Sequence, residues 1–378
     1  MKKSALIISL ICLLCSCISD RSEKTIQSND DKDLICTFDL DNNTSKPAAA
    51  IITWPRWQIG QTIKVKFLDG NEIEQEKTKK YASEWLKYAN LKFEYVSSGS
   101  ADIRIGFKRA GEENKDYGAW SELGMRSAYG NNLERQSMRL GPLNSADENS
   151  IRRTILHEFG HALGLIHENA SPASKINWNL AKVYQYYYDL SGWSKDQVDQ
   201  YVIKTAESTN YSEYDALSIM HYYVPASLTT DGKSVNEMSV LSDIDKKSIN
   251  EWYPFPIVSV MESGQSFNDL RWKDRIQSNN KRYSLEFTPG FLRVIDLVEK
   301  KTIWEVGDIR YPRRAICNFE SNGNIVLKGA KYTAATIETI WTSNTSEYSG
   351  ATLHLQDDGD LQLIYNGVVK WSSKKGKV

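Results

Sequence analysis

His157-Glu158-Phe159-Gly160-His161-Ala162-Leu163-Gly164-Leu165-Ile166-His167-Glu168 gathers three of the chain's five histidines into one short window. His157 and His161 are four residues apart, so on a helix both rings project from one face and reach a single ion. Gly164 can take the positive φ that ends such a helix and turns the chain back, bringing in His167 as the third ligand. Glu158 is rotated by about 100° from His157 around the axis, beside the metal but outside its ligand set. Three protein ligands leave one position open, the arrangement of a catalytic zinc site; a structural site fills that position with Cys or His, and no such residue is near.

The flanking residues predict the helix. Asn149 and Ser150 can cap it, and Ile151, Ile155, Leu156, Phe159, Ala162 and Leu163 supply an apolar stripe at helical spacing. The metal face and the core face are then expected on different sides of one rod, with packing holding the histidines.

With Ser218-Ile219-Met220-His221-Tyr222 downstream, the long motif resembles the metzincin signature. Glu168 directly after the third histidine, and Tyr222 two residues after Met220, look like the astacin peptidases among them. Serralysin-type enzymes carry a comparable tyrosine, but usually have proline after the third histidine and calcium-binding glycine repeats. Gly118-Ala119-Trp120-Ser121-Glu122-Leu123-Gly124, Met138-Arg139-Leu140-Gly141 and Tyr214-Asp215-Ala216-Leu217-Ser218 are similar to further family segments, so the resemblance runs from Ala48 to Tyr253. It departs at Ala119, where the family usually has cysteine, and in lacking the partner cysteine after Gly141; the usual disulfides cannot form. The stretch Asn169 to Lys175 also lacks the family's arginine-aspartate run, which leaves substrate preference open.

The chemistry expected is metal-assisted hydrolysis of a peptide bond in a protein or peptide substrate. Zn²⁺ on His157, His161 and His167 acidifies water, and Glu158 takes the proton as general base and returns it to the leaving amine. The resemblance implies that Tyr222 is a mobile ligand that swings away to donate to the oxyanion, the alternative being a buried structural tyrosine. It implies that Met220 packs beneath the metal as an apolar floor. For Glu168 it implies a salt bridge to a processed N-terminus; a local pair at the helix end is the other reading. His221 is left outside the site.

Lys2 and Lys3 precede an apolar run from Ala5 to Leu14, about half the length needed to span a bilayer, which reads as an export signal. It ends Leu14-Cys15-Ser16-Cys17, similar to a bacterial lipobox in which Cys17 is acylated; a plain secretory signal is the alternative. Residues 1–17 are thus a lipoprotein signal, anchoring an exported bacterial protein to a membrane, surface-facing or periplasmic, by lipid alone. Of five cysteines, Cys17, Cys36 and Cys317 then remain, so this is no disulfide scaffold. A formal net charge of -1 gives no reason to propose nucleic acid.

Residues 18–47 are polar and aperiodic, a tether or pro-segment. An exported peptidase with an open metal position needs a latch, and Cys36 as thiolate or Asp39 as carboxylate can fill that position; for Cys36 a disulfide with Cys317 or an idle thiol is the alternative. Cleavage between Lys46 and Ala50 would release it. Residues 48–254 form the α+β peptidase domain, a mixed sheet plus the zinc helix. In it Ile63, Val65 and Phe67 alternate as a strand, Ile73 to Tyr88 is helical, and Asp102 to Phe107 alternates again. Tyr253-Pro254-Phe255-Pro256 closes it.

Residues 257–378 are all-β with a threefold repeat. Ile303-Trp304, Ile340-Trp341 and Lys370-Trp371 each follow a hairpin signal, at Pro289-Gly290, Asn322-Gly323 and Asp358-Gly359. This resembles the β-prism of bulb-type mannose-binding lectins, with a β-trefoil as rival. The lectin pattern Q-x-D-x-N-x-V-x-Y falls on Gln356, Asp358, Asp360, Gln362 and Ile364 in the last repeat, and on Glu286, Thr288, Gly290, Leu292 and Val294 in the first. In the second it falls on Glu320, Asn322, Asn324, Val326 and Lys328; no repeat is intact. Two functions stand: a zinc endopeptidase with a localising or substrate-positioning module, and a carbohydrate-binding or adhesion lipoprotein whose peptidase half is latent or inactive. The complete set His157, Glu158, His161, His167, Met220 and Tyr222 favours the first.

Overall fold

The computed structural model describes residues 56–107, 119–129, 134–143, 147–171, 173–203 and 213–378. The expected signal, Cys17, the tether, Cys36 and Asp39 lie outside them. The described chain forms two compact units. The first holds Trp57, Thr62–Ser83 and the described part of Phe93–Ser248; the second holds Gln58–Gln61, Glu84–Lys92 and Ile249–Val378.

The first unit is α+β. Strand β1 (Thr62–Phe67) buries Ile63 and Val65 and exposes Thr62 and Lys64, the period-two pattern expected, but the alternation ends there, Lys66 and Phe67 both being half-buried. With β2 (Lys92–Tyr95), β3 (Ile103–Gly106), β4 (Trp120–Ser121) and β5 (Met138–Arg139) it makes a sheet of order β2-β1-β3-β5-β4. β3 runs parallel to β1 and β5, and β4 antiparallel to β5, so the sheet is mixed as expected. The alternation at 102–107 does not mark a half-buried strand, because central β3 is buried at every residue, Arg104 included. Its guanidinium is tolerated there by donating to the carbonyls of Arg135, Ala101 and Ser127 at 2.7, 3.0 and 2.8 Å.

Helix α1 (Glu72–Ala82) starts in a capping box, Asn71 accepting the Glu74 amide at 3.0 Å and Glu74 the Asn71 amide at 2.9 Å. The helix expected to reach Tyr88 stops at Ala82. There the Ser83 hydroxyl turns back to the Lys80 carbonyl, and a separate 3₁₀ turn, Trp85–Lys87, buries Trp85 completely. The zinc-motif helix α2 (Glu148–Ala162) takes Asp147 as its cap, while Asn149 and Ser150, expected there, lie in its first turn. The Asp147 carboxylate accepts both their amides, at 2.9 and 3.2 Å, and brings a negative charge to the helix N-terminus. Every residue from Ile155 to Asn169 is buried, so the face that carries the histidines is covered as fully as the apolar stripe. Helices α3 (Leu180–Ser191), α4 (Lys195–Val198) and α5 (Asp243–Trp252) follow. Among the described residues no helix is long and apolar enough to cross a membrane.

From Val260 onward the second unit is all-β. Its strands are β6 (Val260–Glu262), β7 (Gln265–Ser266), β8 (Ile276–Gln277), β9 (Tyr283–Thr288), β10 (Phe291–Asp296), β11 (Lys301–Gly307), β12 (Arg313–Phe319), β13 (Ile325–Ala330), β14 (Glu338–Thr342), β15 (Thr352–Leu355), β16 (Leu361–Tyr365), β17 (Val368–Ser372) and β18 (Gly376–Lys377). They form three sheets, β11-β10-β9-β8, β14-β13-β12-β7 and β18-β17-β16-β15-β6. The three hairpin signals lie between β9 and β10, β12 and β13, and β15 and β16. At the last, Gly359 has φ +81°, and a Cβ there would stand 2.5 Å from Ile303, so side chain and conformation both demand glycine. Each sheet shifts register beside its tryptophan: at Val294/Ile295 opposite Trp304, Leu327/Lys328 opposite Trp341, and Leu363/Ile364 opposite Trp371. The three indoles meet edge to face with centroids 5.8 to 5.9 Å apart.

Candidate zinc site

α2 presents His157 and His161, and Gly164 at φ +103° turns the chain so that His167 returns to them. The three Nε2 atoms converge: 3.1 Å from His157 to His161, 3.2 Å from His157 to His167, and 2.9 Å from His161 to His167. Among the described residues this is the cluster able to hold a metal ion, and it is fully buried. The opposite nitrogens are all engaged. Nδ1 of His157 donates to the Ile219 carbonyl and Nδ1 of His161 to the Leu165 carbonyl, both at 2.8 Å, and Nδ1 of His167 lies 2.8 Å from the Tyr222 hydroxyl. A carbonyl can only accept, so the proton sits on Nδ1 and the Nε2 lone pair faces the other rings.

That donor set fits zinc. Nitrogens about 2.0–2.1 Å from a tetrahedral ion stand roughly 3.3 Å apart, within a few tenths of the distances here. Burial, before any other cause, lowers all three pKa values, His161 to about 4 and His157 and His167 well below the usual imidazole range. Neutral rings are what a cation needs.

Glu158 follows His157 on the helix and is buried, as are Met220 and Tyr222. Met220 accepts the Glu168 amide at 3.0 Å, which ties the segment after His167 to the methionine turn. The Glu168 carboxylate accepts the Asp215 amide at 2.9 Å, and burial pushes its pKa up to about 8. His221 stays outside the histidine cluster, its ring between the Tyr214 hydroxyl at 2.8 Å and the Tyr222 carbonyl at 2.7 Å.

Two features escape a motif search. Asp245 on α5 is buried and accepts the Ser218 hydroxyl at 2.7 Å and the amides of Ile219 and Ser242 at 2.9 Å, so one carboxylate holds the N–H of the residue whose carbonyl meets His157. Its signal is Ser242-Asp243-Ile244-Asp245, a capping-box pattern completed by the Asp245 amide on the Ser242 hydroxyl. The other is the pairing of Arg153, one turn before His157, with Glu237; both are largely buried.

In the second unit Gln356, Asp358 and Asp360 share the β15–β16 turn. Asp360 is buried, accepting the Ser373 hydroxyl at 3.0 Å, the Lys374 amide at 3.2 Å and the Gln362 side-chain amide at 3.0 Å. Asn324 does the same in the second repeat, accepting Thr342, Ser343 and Thr345 at 2.9, 3.0 and 3.1 Å. Asp358 is exposed and pairs with Lys374, whose ammonium holds its carboxyl below the usual range. Cys317 is a free thiol buried in this unit's core.

A family model described as Peptidase_M10, Matrixin, matches residues 56–204. Serralysin of Proteus mirabilis is 25% identical over 242 residues, covering 58% of this chain and 48% of the relative, so the chain spans about half of that protein's length. The solved structure of myroilysin is 38% identical with a TM-score of 0.50, covering 54% of this chain and 98% of that one. A monocot mannose-binding lectin from Gastrodia elata is 20% identical with a TM-score of 0.22, covering 31% of this chain and 92% of that one. The matrixin match spans the three converging histidines, and with 38% identity to myroilysin over nearly all of that chain it shows that the chain belongs to the metzincin-type zinc peptidases.

Proposed function

We propose that the chain is a zinc-dependent endopeptidase of astacin-like type acting on protein or peptide substrates. The observation that carries it is the convergence of three Nε2 atoms whose rings are each fixed through Nδ1. Bound by His157, His161 and His167, the ion would supply Lewis acidity, acidifying water and polarising the scissile carbonyl. Glu158 takes the proton from attacking water onto its carboxylate and delivers it to the leaving nitrogen. Tyr222 donates its phenolic hydrogen to the oxygen that becomes negative. If His167 donates from Nδ1, Tyr222 accepts through oxygen and its own hydrogen remains available as a donor. Tyr222 and Glu168, at the positions that distinguish astacins, support the branch.

The chain reaches its site of action as an exported lipoprotein held by Cys17 and is kept latent by residues 18–47, with Cys36 favoured over Asp39 as the latch. The buried state of Cys317 lends no support to a disulfide with Cys36. The second unit is a threefold β-prism, a reading supported by the three bulged sheets and the indole triangle. Its role is to position the enzyme or its substrate. Glycan binding is the weaker reading, because Asp360 is already engaged within its own turn.

The test is Glu158→Gln, which keeps volume but cannot accept the proton. Hydrolysis of a peptide should fall by about 10²–10⁴ with one zinc still bound, while His161→Ala or a chelator should remove metal and activity together. Undiminished hydrolysis by Glu158→Gln would reject the mechanism.

A further inference from the structure

Two adjoining segments of the second unit, 308–314 leading into β12 and 331–338 joining β13 to β14, expose an unusual mixture. Ile309 is 76% exposed, Tyr332 71% and Ile337 45%. The segments are knit together. Arg313 pairs in register with Ala330 and donates to the Tyr332 carbonyl at 2.9 Å, the Tyr311 hydroxyl donates to Glu338 at 3.0 Å, and the Lys331 ammonium stands 5.0 Å over the Tyr311 ring. The same two segments carry Arg310, Arg313, Arg314 and Lys331, with Arg313 and Arg314 exposed. The carboxylates here are Asp308, held by Arg310, and Glu338, held by Tyr311, so the patch is cationic on a chain whose formal net charge is -1.

We propose that this patch docks the second unit on the surface of an anionic lipid bilayer. Arginines at the headgroup level meet phosphate charge, while Ile309, Tyr332 and Ile337 enter the boundary between headgroups and acyl chains; tyrosine favours that depth because its ring is apolar and its hydroxyl wet. A soluble polyanion would use the arginines but gain nothing from two exposed isoleucines. A second copy of the chain would oppose like charges. The patch needs no acyl group, so it acts independently of Cys17 and of the zinc site.

The experiment uses protein beginning at Ser19, which carries no lipid. It is sedimented with phosphatidylcholine vesicles, with or without about one third phosphatidylglycerol. Binding should require phosphatidylglycerol, fall about fivefold for each of Arg313→Gln and Arg314→Gln, and disappear in about 0.5 M salt. The triple variant Ile309→Ser, Tyr332→Ser, Ile337→Ser should lose at least about tenfold, while keeping its melting temperature because the three side chains are exposed. Equal binding to neutral vesicles would overturn the proposal. So would loss in the arginine variants with none in the triple variant, together with full competition by heparin, since that pattern belongs to a soluble polyanion.

Discussion

The Tyr222 hydroxyl lies 2.8 Å from Nδ1 of His167, on the side of the ring turned away from the point where the three Nε2 atoms meet. The phenol therefore braces a metal ligand in this state of the molecule. Tyr222→Phe should weaken zinc binding about 10–100-fold, as loss of a ligand's hydrogen-bond partner does. It should also slow turnover at saturating zinc, because the proposed oxyanion donor is lost. Chelator competition and kcat at saturating zinc separate the two effects. Unchanged values in both would leave Tyr222 a packing residue.

Asp245 reaches His157 through Ile219, whose N–H it accepts and whose carbonyl meets Nδ1 of His157. Asp245→Ala strands the buried Ser218 hydroxyl and Ile219 amide, at about 1–3 kcal/mol for each donor left without a partner, and frees the half-buried Ser242 amide. Thermal melting should drop steeply, and the protein that remains folded should release zinc faster. Asp245→Asn, which still accepts at one oxygen, should fall between the alanine variant and the parent.

The Asp147 cap makes the zinc helix sensitive to acid. The Ser150 hydroxyl, followed by the Ser150 amide, holds the folded carboxyl below its usual pKa. A lowered folded pKa adds stability above the unfolded value of about 3.9, lost as pH falls through the folded value. Asp147→Ala should cost about 1 kcal/mol near neutrality, and the difference from the parent should shrink toward zero in strong acid. Urea melts at several pH values measure this; a constant difference would contradict it.

Asp360 should act as a brace in the second unit. Replacing it with Ala removes an acceptor from the Ser373 hydroxyl and the Lys374 amide and should lower stability by about 1–3 kcal/mol. Asp360→Asn should be well tolerated, because Asn324 fills the equivalent place. Asp358→Ala, at an exposed position, should leave melting unchanged. Indole fluorescence follows these melts; equal stability in the Asp360 variants would show that the carboxylate is not needed to hold the turn.

The histidines were legible because their geometry is local: four residues along a helix, a glycine, and a return. The tryptophans were legible because a repeat announces itself. Asp245 was not, since hydrophobic periodicity carries no record of which distant amides a buried carboxylate will accept, and Ile219 is far away in sequence. The same limit explains β3, whose alternation suggests one wet face although strands on both sides and cover on both faces bury Arg104 entirely. The break after Ala82 was hidden for another reason: the apolar spacing continues through Trp85, and Ser83 and Glu84 keep helical dihedrals while the chain tightens from the α-helix into a 3₁₀ turn.

β6 is the first strand of the three sheets, yet its ladder partner is β15, a strand of the last repeat, with the register Met261↔Leu353. β7 likewise pairs with β12, across most of the first repeat. Closing such long loops comes late in folding, because their entropy is spent before the contacts return it. During synthesis β6 therefore emerges before the strands of the first two sheets, and Val260–Glu262 waits with an unpaired edge until Thr352–Leu355 has left the ribosome. A chain stopped short of residue 352 should consequently expose β6 as an aggregation-prone edge, so protein quality control would read the integrity of the far C-terminus at the unit's first strand.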